Sequence, residues 1–247
     1  MQLYAFDLER RLTAATQACK EKNYFCMECG ATLRLRGGFH RQKHFYHLKQ
    51  TVSCRQNGKS MPHIHIQKRL QDAFAPGAIE LEKRFPPIQR IGDAVHEELK
   101  IVFEIQCSQI SFAEMDARNR DYASLGYHVV WLLHDKQFNQ RRVSEAEYFL
   151  ETTHYFTNMD KEGFGEIYDQ WALLKGPVRK KRGQKIYLDI ARVCKTVGAG
   201  FGRGKWRVRV EGDCEPVEVV AKNRSFWGKL VRVYWLVFGT LLERASR

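Results

Sequence analysis

Proline and cysteine are scarce: 6 and 7 residues respectively in a chain of 247. No basic stretch followed by a short apolar run opens the sequence. An odd, modest cysteine count without such a leader argues against a secreted, disulfide-framed protein, and a reducing bacterial cytoplasm is the expected compartment. Long apolar runs are missing too. The nearest approach, residues 226–242, is interrupted by Lys229, Arg232 and two glycines, too short and too charged to span a bilayer, so no transmembrane segment is expected. Leu230, Val233, Tyr234, Val237 and Phe238 instead fall at helical spacing, which predicts an amphipathic helix packed on a core or partner, with interfacial membrane binding the lesser alternative. Internal repeats and low-complexity tracts are absent. With 44% hydrophobic residues, the chain can build one substantial core and one or two small modules.

Acidic residues are scarce in one region. From Lys175 onward there are 18 basic and 6 acidic residues of the 41 and 28 in the chain, leaving 23 against 22 before it. A concentrated basic segment neutralises phosphates and releases counterions, a strong attraction blind to sequence. Nucleic acid is the favoured partner, with a membrane surface or ribosome as alternatives. Within this region Gly176-Pro177, followed by Arg179, Lys180, Lys181 and Arg182, reads as a linker, and 198–204 as a glycine-rich basic loop before a strand-like stretch at 206–210. Lys180, Lys181, Arg182, Arg203, Lys205 and Arg207 are candidate contacts to a phosphate backbone. The predicted organisation is an N-terminal module over 1–58, an alternating helix-and-strand core over 59–135, a helical extension over 136–175 and a basic region over 176–247.

The first chemical constellation is Cys26-x2-Cys29, then His44-Phe45-Tyr46-His47, then Cys54. Two cysteines separated by two residues make a tight knuckle that offers two thiolates to one ion, and zinc needs two further ligands from another segment. Residues 44–47 look extended, so the two histidines face opposite ways. The preferred ligands are Cys26, Cys29, His47 and Cys54, with His44 as the substitute and reduced structural cysteines as the alternative. Four protein ligands would close the coordination sphere, which makes the expected zinc structural.

The second constellation runs from Arg90 to Ser108. Two β-rich segments joined by the polar tip Glu97-Glu98 predict a hairpin, and period-two alternation puts Glu104, Gln106 and Ser108 on one face. A carboxylate on each strand, Asp93 and Glu104, suits a hard divalent cation, Mg²⁺ or Mn²⁺, that keeps waters able to attack a phosphodiester. Gln106 would orient the water or touch the phosphate, where many such enzymes use lysine. The alternative is an edge strand whose polar groups pair with Arg118 or Arg120. After it, Ser111-x2-Glu114 reads as a capping box and Gly126 as a helix stop, and on that helix Arg118 and Tyr122 share a face.

Taken together, these residues resemble the competence protein CoiA family, itself similar to the PD-(D/E)XK nucleases. The elements are Cys26 and Cys29, His44-Phe45-Tyr46-His47, Cys54, Asp93, Glu104-Ile105-Gln106-Cys107-Ser108, and Arg118 with Tyr122. The stretch from Ala5-Phe6-Asp7 through Ala14 and Ala18, and the strand at 127–133 with Trp131, are also similar, so the resemblance covers 1–135. Gly92 departs from the proline of the superfamily name, and Gln106 stands at the usual lysine. The resemblance implies an α/β fold, a mixed sheet flanked by helices with a restriction-endonuclease-like core, beside a small zinc-knuckle module and a basic C-terminal region. It further implies a Mg-dependent deoxyribonuclease that processes or recombines incoming single-stranded DNA during competence, with recombination proteins as partners. By the same resemblance the helix at 62–74 contributes His63, since Ser60-x2-His63 matches, while His65 lies on another face. Arg118, Tyr122 and Ser108 would contact substrate. Glu80 or Glu82, on the first strand, is a further candidate base or second ligand, with a cross-strand salt bridge as the alternative. The alternative function is a catalytically inactive DNA-binding protein or recombination adaptor.

Overall fold

The computed structural model describes residues 1–38, 41–49, 54–150, 153–197 and 206–210. Two compact units are present, one comprising Met1–Cys107 with Met159–Phe164, the other comprising Ser108–Asn158 and the chain from Gly165 on.

The first unit begins with a five-stranded antiparallel sheet in the order β2-β1-β3-β4-β5, from β1 (Tyr4–Phe6), β2 (Leu12–Ala14), β3 (Tyr24–Phe25), β4 (Thr32–Gly38) and β5 (Arg41–His47). In β4, buried Leu33 and Leu35 alternate with the more accessible Arg34 and Arg36, the half-buried pattern of a strand. They pack with Ala5, Ala15, Tyr24 and Phe45, and the Tyr24 and Phe45 rings lie 4.8 Å apart. Only glycine fits at 37, where φ is +121° and a Cβ would stand 2.7 Å from Lys43 Cα at the register shift between β4 and β5.

Next comes α1 (Met61–Ala73), with Ser60 at its N-cap and Pro62 in its first turn, where a missing N–H costs nothing. His63, Ile64, Ile66, Gln67 and Leu70 are its buried residues. Three antiparallel strands follow: β6 (Ile79–Phe85), β7 (Arg90–His96) and β8 (Ile101–Gln106). All of β8 is buried, so it reads as an apolar strand interrupted only by Glu104 and Gln106.

The second unit opens with α2 (Phe112–Ser124), whose N-cap Ser111 accepts a hydrogen bond from the Glu114 amide at 3.2 Å. Gly126, at φ +79°, follows its end. Strand β9 (His128–His134) then pairs in parallel with β10 (His154–Thr157) after the short α3 (Glu145–Phe149). Strand β11 (Ile167–Asp169) pairs antiparallel with β10, and the remaining strands are β12 (Ala172–Lys175), β13 (Val178–Arg182), β14 (Ile186–Tyr187), β15 (Val193–Val197) and β16 (Trp206–Val210). The fold is thus mixed α/β with few helices.

Two expectations are corrected. The described residues of 136–175, read as helical, hold one five-residue helix and three strands. Gly176-Pro177 is the turn of an antiparallel hairpin between β12 and β13, with Gly176 at φ +56°, and not a linker. Neighbouring Arg179 is buried against Glu147. The loop at 198–204, with Arg203, and the helical pattern at 226–242 lie outside the described residues, as does Lys205. Among the described residues, no helix is long and apolar enough to cross a membrane.

Candidate functional site

Local turns bring the sulfur ligands together. The knuckle from Cys26 to Gly30 closes through the Gly30 amide on the Cys26 carbonyl at 3.0 Å, with Gly30 at φ +69°. His47 ends β5, and Cys54 opens the turn that precedes α1. The donor atoms of Cys26, Cys29, His47 and Cys54 all lie within 4.8 Å of one another. Cys26 Sγ is 3.7 Å from Cys54 Sγ, and Cys29 Sγ is 3.4 Å from His47 Nε2. His44 is elsewhere, its Nδ1 2.9 Å from the Gln42 carbonyl, so His47 is the cluster's histidine. Three thiols and an imidazole form a donor set suited to zinc, with all four tetrahedral positions supplied by the chain. Burial pushes the Cys26 and Cys54 thiols up, and Cys54 is raised further by Cys26 beside it. A dication that binds thiolate reverses that cost. Around the cluster, Gln2 Nε2 donates to Cys26 Sγ at 3.1 Å, and Glu28 accepts from the Gln56 amide at 3.0 Å and from Arg55.

A second cluster forms where α1 crosses the hairpin. The β7–β8 register runs through His96↔Ile101 and Val95↔Val102 and ends at Ala94↔Phe103; Asp93 and Glu104 are the next residue on each strand. Both are buried, at 4% and 0% exposure. Instead of continuing the ladder, the Asp93 carboxylate takes the Ile105 amide on Oδ2 at 2.9 Å. Its Oδ1 receives Lys59 Nζ at 2.9 Å and His63 Nε2 at 3.1 Å, while Gln67 Nε2 donates to its main-chain carbonyl at 2.9 Å. Gly92 packs closely: a Cβ there would come within 3.0 to 3.2 Å of the Val95, Phe85 and Val102 side chains, which would have to shift by a few tenths of an ångström.

Burial works against the charged form of Asp93, but the imidazole of His63 and the ammonium of Lys59 outweigh it and hold the carboxyl well below the ordinary range. For Lys59 burial likewise opposes charge, and Asp93 with Glu82 raises its pKa above the usual lysine value. Burial lowers His63. Its Nε2 lies 3.1 Å from Asp93 Oδ1 and donates to the carboxylate, which can only accept. Cys107, at the end of β8, is pushed up to about 12 by burial.

Of the other predicted residues, Gln106 ends β8 at 9% exposure, and Ser108 follows it. Glu80 is paired with Lys83 at the surface, whereas Glu82 is buried and bonded to Lys59. His65 turns to the Lys161 carbonyl at 3.2 Å. On α2, Arg118 pairs with Glu114 at 2.9 Å and lies over the Trp131 ring, Arg120 pairs with Asp116, and Tyr122 is buried.

Lys59 is the residue that sequence reasoning missed. Glu82 was one of two candidates, and its role depends on backbone: at φ +52° it breaks the β6–β7 ladder between Leu81↔Ala94 and Lys83↔Gly92. Its Oε2 accepts the Leu3 and Tyr4 amides at 3.0 Å each, and its Oε1 accepts Lys59 at 3.2 Å. The only advance signal for Lys59 is its position immediately before the Ser60 cap.

Comparison with known families gives two adjoining matches. The N-terminal domain of competence protein CoiA matches residues 8–57, and the nuclease-like domain of competence protein CoiA matches residues 60–168. No curated protein and no solved structure matches. The thiol cluster involves the first region, the Asp93 hairpin lies in the second, and the chain belongs to the competence protein CoiA family.

Proposed function

We propose that this chain is a metal-dependent deoxyribonuclease that hydrolyses phosphodiester bonds, with incoming single-stranded DNA as substrate during competence and recombination proteins as partners. The observation that carries the reading is the pair of buried carboxylates, Asp93 and Glu104, on the two strands of one hairpin just beyond their last paired residues, Ala94 and Phe103, inside the nuclease-like region. Such oxygen donors suit Mg²⁺ or Mn²⁺. When bound, the ion supplies charge neutralisation at the phosphate and a more acidic water.

Each residue then has a role. Asp93 and Glu104 would hold the ion. Three donors already fix the Asp93 carboxylate, leaving roughly one of its four lone-pair positions for a cation. His63 and Lys59 keep it ionised and aimed. The Gln106 amide orients the attacking water or touches the phosphate, a task that needs no charge. Arg118, Tyr122 and Ser108 contact substrate, and exposed Lys180, Lys181 and Arg182 add backbone contacts. The zinc expected at Cys26, Cys29, His47 and Cys54 is structural.

The test is incubation of the purified chain with labelled single- and double-stranded DNA in Mg²⁺, Mn²⁺ or chelator. Metal-dependent cleavage that falls by at least about 100-fold in Asp93→Asn and Glu104→Gln supports the reading. A second reading, a non-cutting DNA-binding protein or recombination adaptor, draws on the occupation of Asp93 Oδ1 by both Lys59 and His63. DNA retention without cleavage in any metal would favour it and end the first.

A further inference from the structure

The carboxylate site contains a cation that belongs to the chain. Lys59 Nζ stands 3.2 Å from Glu82 Oε1 and 2.9 Å from Asp93 Oδ1, and its side chain is 8% exposed, against 0% and 6% for those carboxylates. Each acid is anchored independently of the lysine. Glu82 Oε2 holds the amides of Leu3 and Tyr4, while Asp93 holds the amide of Ile105 and the ring of His63. Two carboxylates fixed by backbone donors would therefore keep their places if the ammonium were gone, and oxygen donors held in that way form a ready position for a small cation. In hydrolases that use two metal ions, carboxylates commonly share both ions. Here a compact ammonium, strongly attached and nearly sealed from solvent, stands between the two acids.

We propose that Lys59 is a positioning residue that takes the place of a second divalent ion, its ammonium filling the cation position between Glu82 and Asp93 so that the carboxylate site accepts one metal ion and not two. The proposal rests on the reading of Asp93 and Glu104 as metal ligands. It adds that the number of ions is set by a side chain.

The experiment counts bound Mn²⁺ in the full, zinc-saturated chain, from the electron paramagnetic resonance signal of the free ion. Lys59→Met, similar in length but uncharged, is expected to bind one more Mn²⁺ per chain than the unsubstituted protein. Lys59→Arg, which keeps the charge, is expected to bind the unsubstituted number. Equal counts in Lys59→Met and the unsubstituted chain overturn the proposal. The unsubstituted count itself, one or none, tests the nuclease reading separately from that difference. Should Lys59→Met not be recovered folded, the ¹⁵N–¹H ammonium signal of Lys59 in the unsubstituted chain decides. Its persistence at saturating Mg²⁺ is expected, and its loss overturns the proposal.

Discussion

At the thiol cluster, four donors face one another within 4.8 Å, and burial pushes the Cys26 and Cys54 thiols toward their neutral form. At the carboxylate site the donors face an ammonium supplied by the chain, and Asp93 is held in its charged form. A dication would favour the thiolate form at the first cluster, whereas Asp93 at the second is held charged by its own neighbours. On the proposed reading, a metal at the first would serve folding and a metal at the second would serve chemistry. Experiments that remove one cation at a time can separate these roles.

The largest effect is expected at the thiol cluster. Structural zinc in small modules contributes about 10–16 kcal/mol of apparent binding free energy, more than a five-stranded sheet of short strands supplies by itself. Cys54→Ser, or prolonged chelation, should abolish cooperative melting of the β1–β5 module, followed by near-ultraviolet circular dichroism with zinc content measured alongside. An unchanged transition in zinc-free protein would make the four residues reduced structural groups and break the contrast.

The carboxylate site should respond less, because its charges are internal. Asp93→Asn leaves Lys59 facing Glu82 alone, and breaking a buried pair from one side costs about 3–5 kcal/mol, measurable by urea denaturation. Adding Lys59→Met should cost less than the sum of the two single changes, with a coupling of about 1–3 kcal/mol. Additive losses would mean that the ammonium and carboxylate do not act as a pair.

Protonation gives a third test with a defined sign. The folded pKa of His63 lies below its unfolded value, so the unfolded chain takes up a proton that the folded chain refuses. Stability is then lost as pH falls through about 6.5, by at most roughly 1.4 kcal/mol per pH unit. Asp93, depressed, contributes stability that fades only below about pH 4, and Lys59, raised, contributes stability that fades only above about pH 10.4. Urea midpoints for the unsubstituted chain should slope downward from pH 7 to 5, and those for His63→Asn should be flatter. Parallel slopes would remove His63 from the network.

What the sequence disclosed follows the range of the interactions involved. Cys26-x2-Cys29, the hairpin around Glu97-Glu98, the Ser111 cap and the Gly126 stop are local patterns, and each has its structural counterpart. Lys59 was illegible because its burial depends on Glu82 and Asp93, which lie 23 and 34 positions away in sequence. Glu82 could not be separated from Glu80 by alternation because its left-handed backbone breaks the period. From 136 to 174 the strands are three or four residues long, too short for periodicity to declare them, and Gly176-Pro177 suits a hairpin turn as well as a linker. Arg118 lies in a helix, as its spacing predicts, but its partners Glu114 and Trp131 became clear only with the fold.

The smallest effect bears on whether the two sites are independent. Gln2 donates to Cys26 Sγ, its backbone pairs with Phe45 in both directions, and the next two amides, of Leu3 and Tyr4, end on Glu82. Three consecutive residues thus connect the thiol cluster to the acid that grips Lys59. Gln2 is fully buried, and its Oε1 has no hydrogen-bond partner, so the contact to sulfur is the polar bond its side chain gains in return for burial. Gln2→Leu keeps the bulk and removes that bond. Loss of such an outer contact typically weakens metal binding by about 10–100-fold, which competition with a chromogenic chelator would read. If the sites are coupled, the same substitution should speed hydrogen exchange at the Leu3 and Tyr4 amides while the Ile105 amide, held by Asp93 from the other side, keeps its protection. Weakened zinc binding with unchanged exchange at Leu3 and Tyr4 would show that the strand transmits nothing, and the imported and internal cations would then be separate features of one unit.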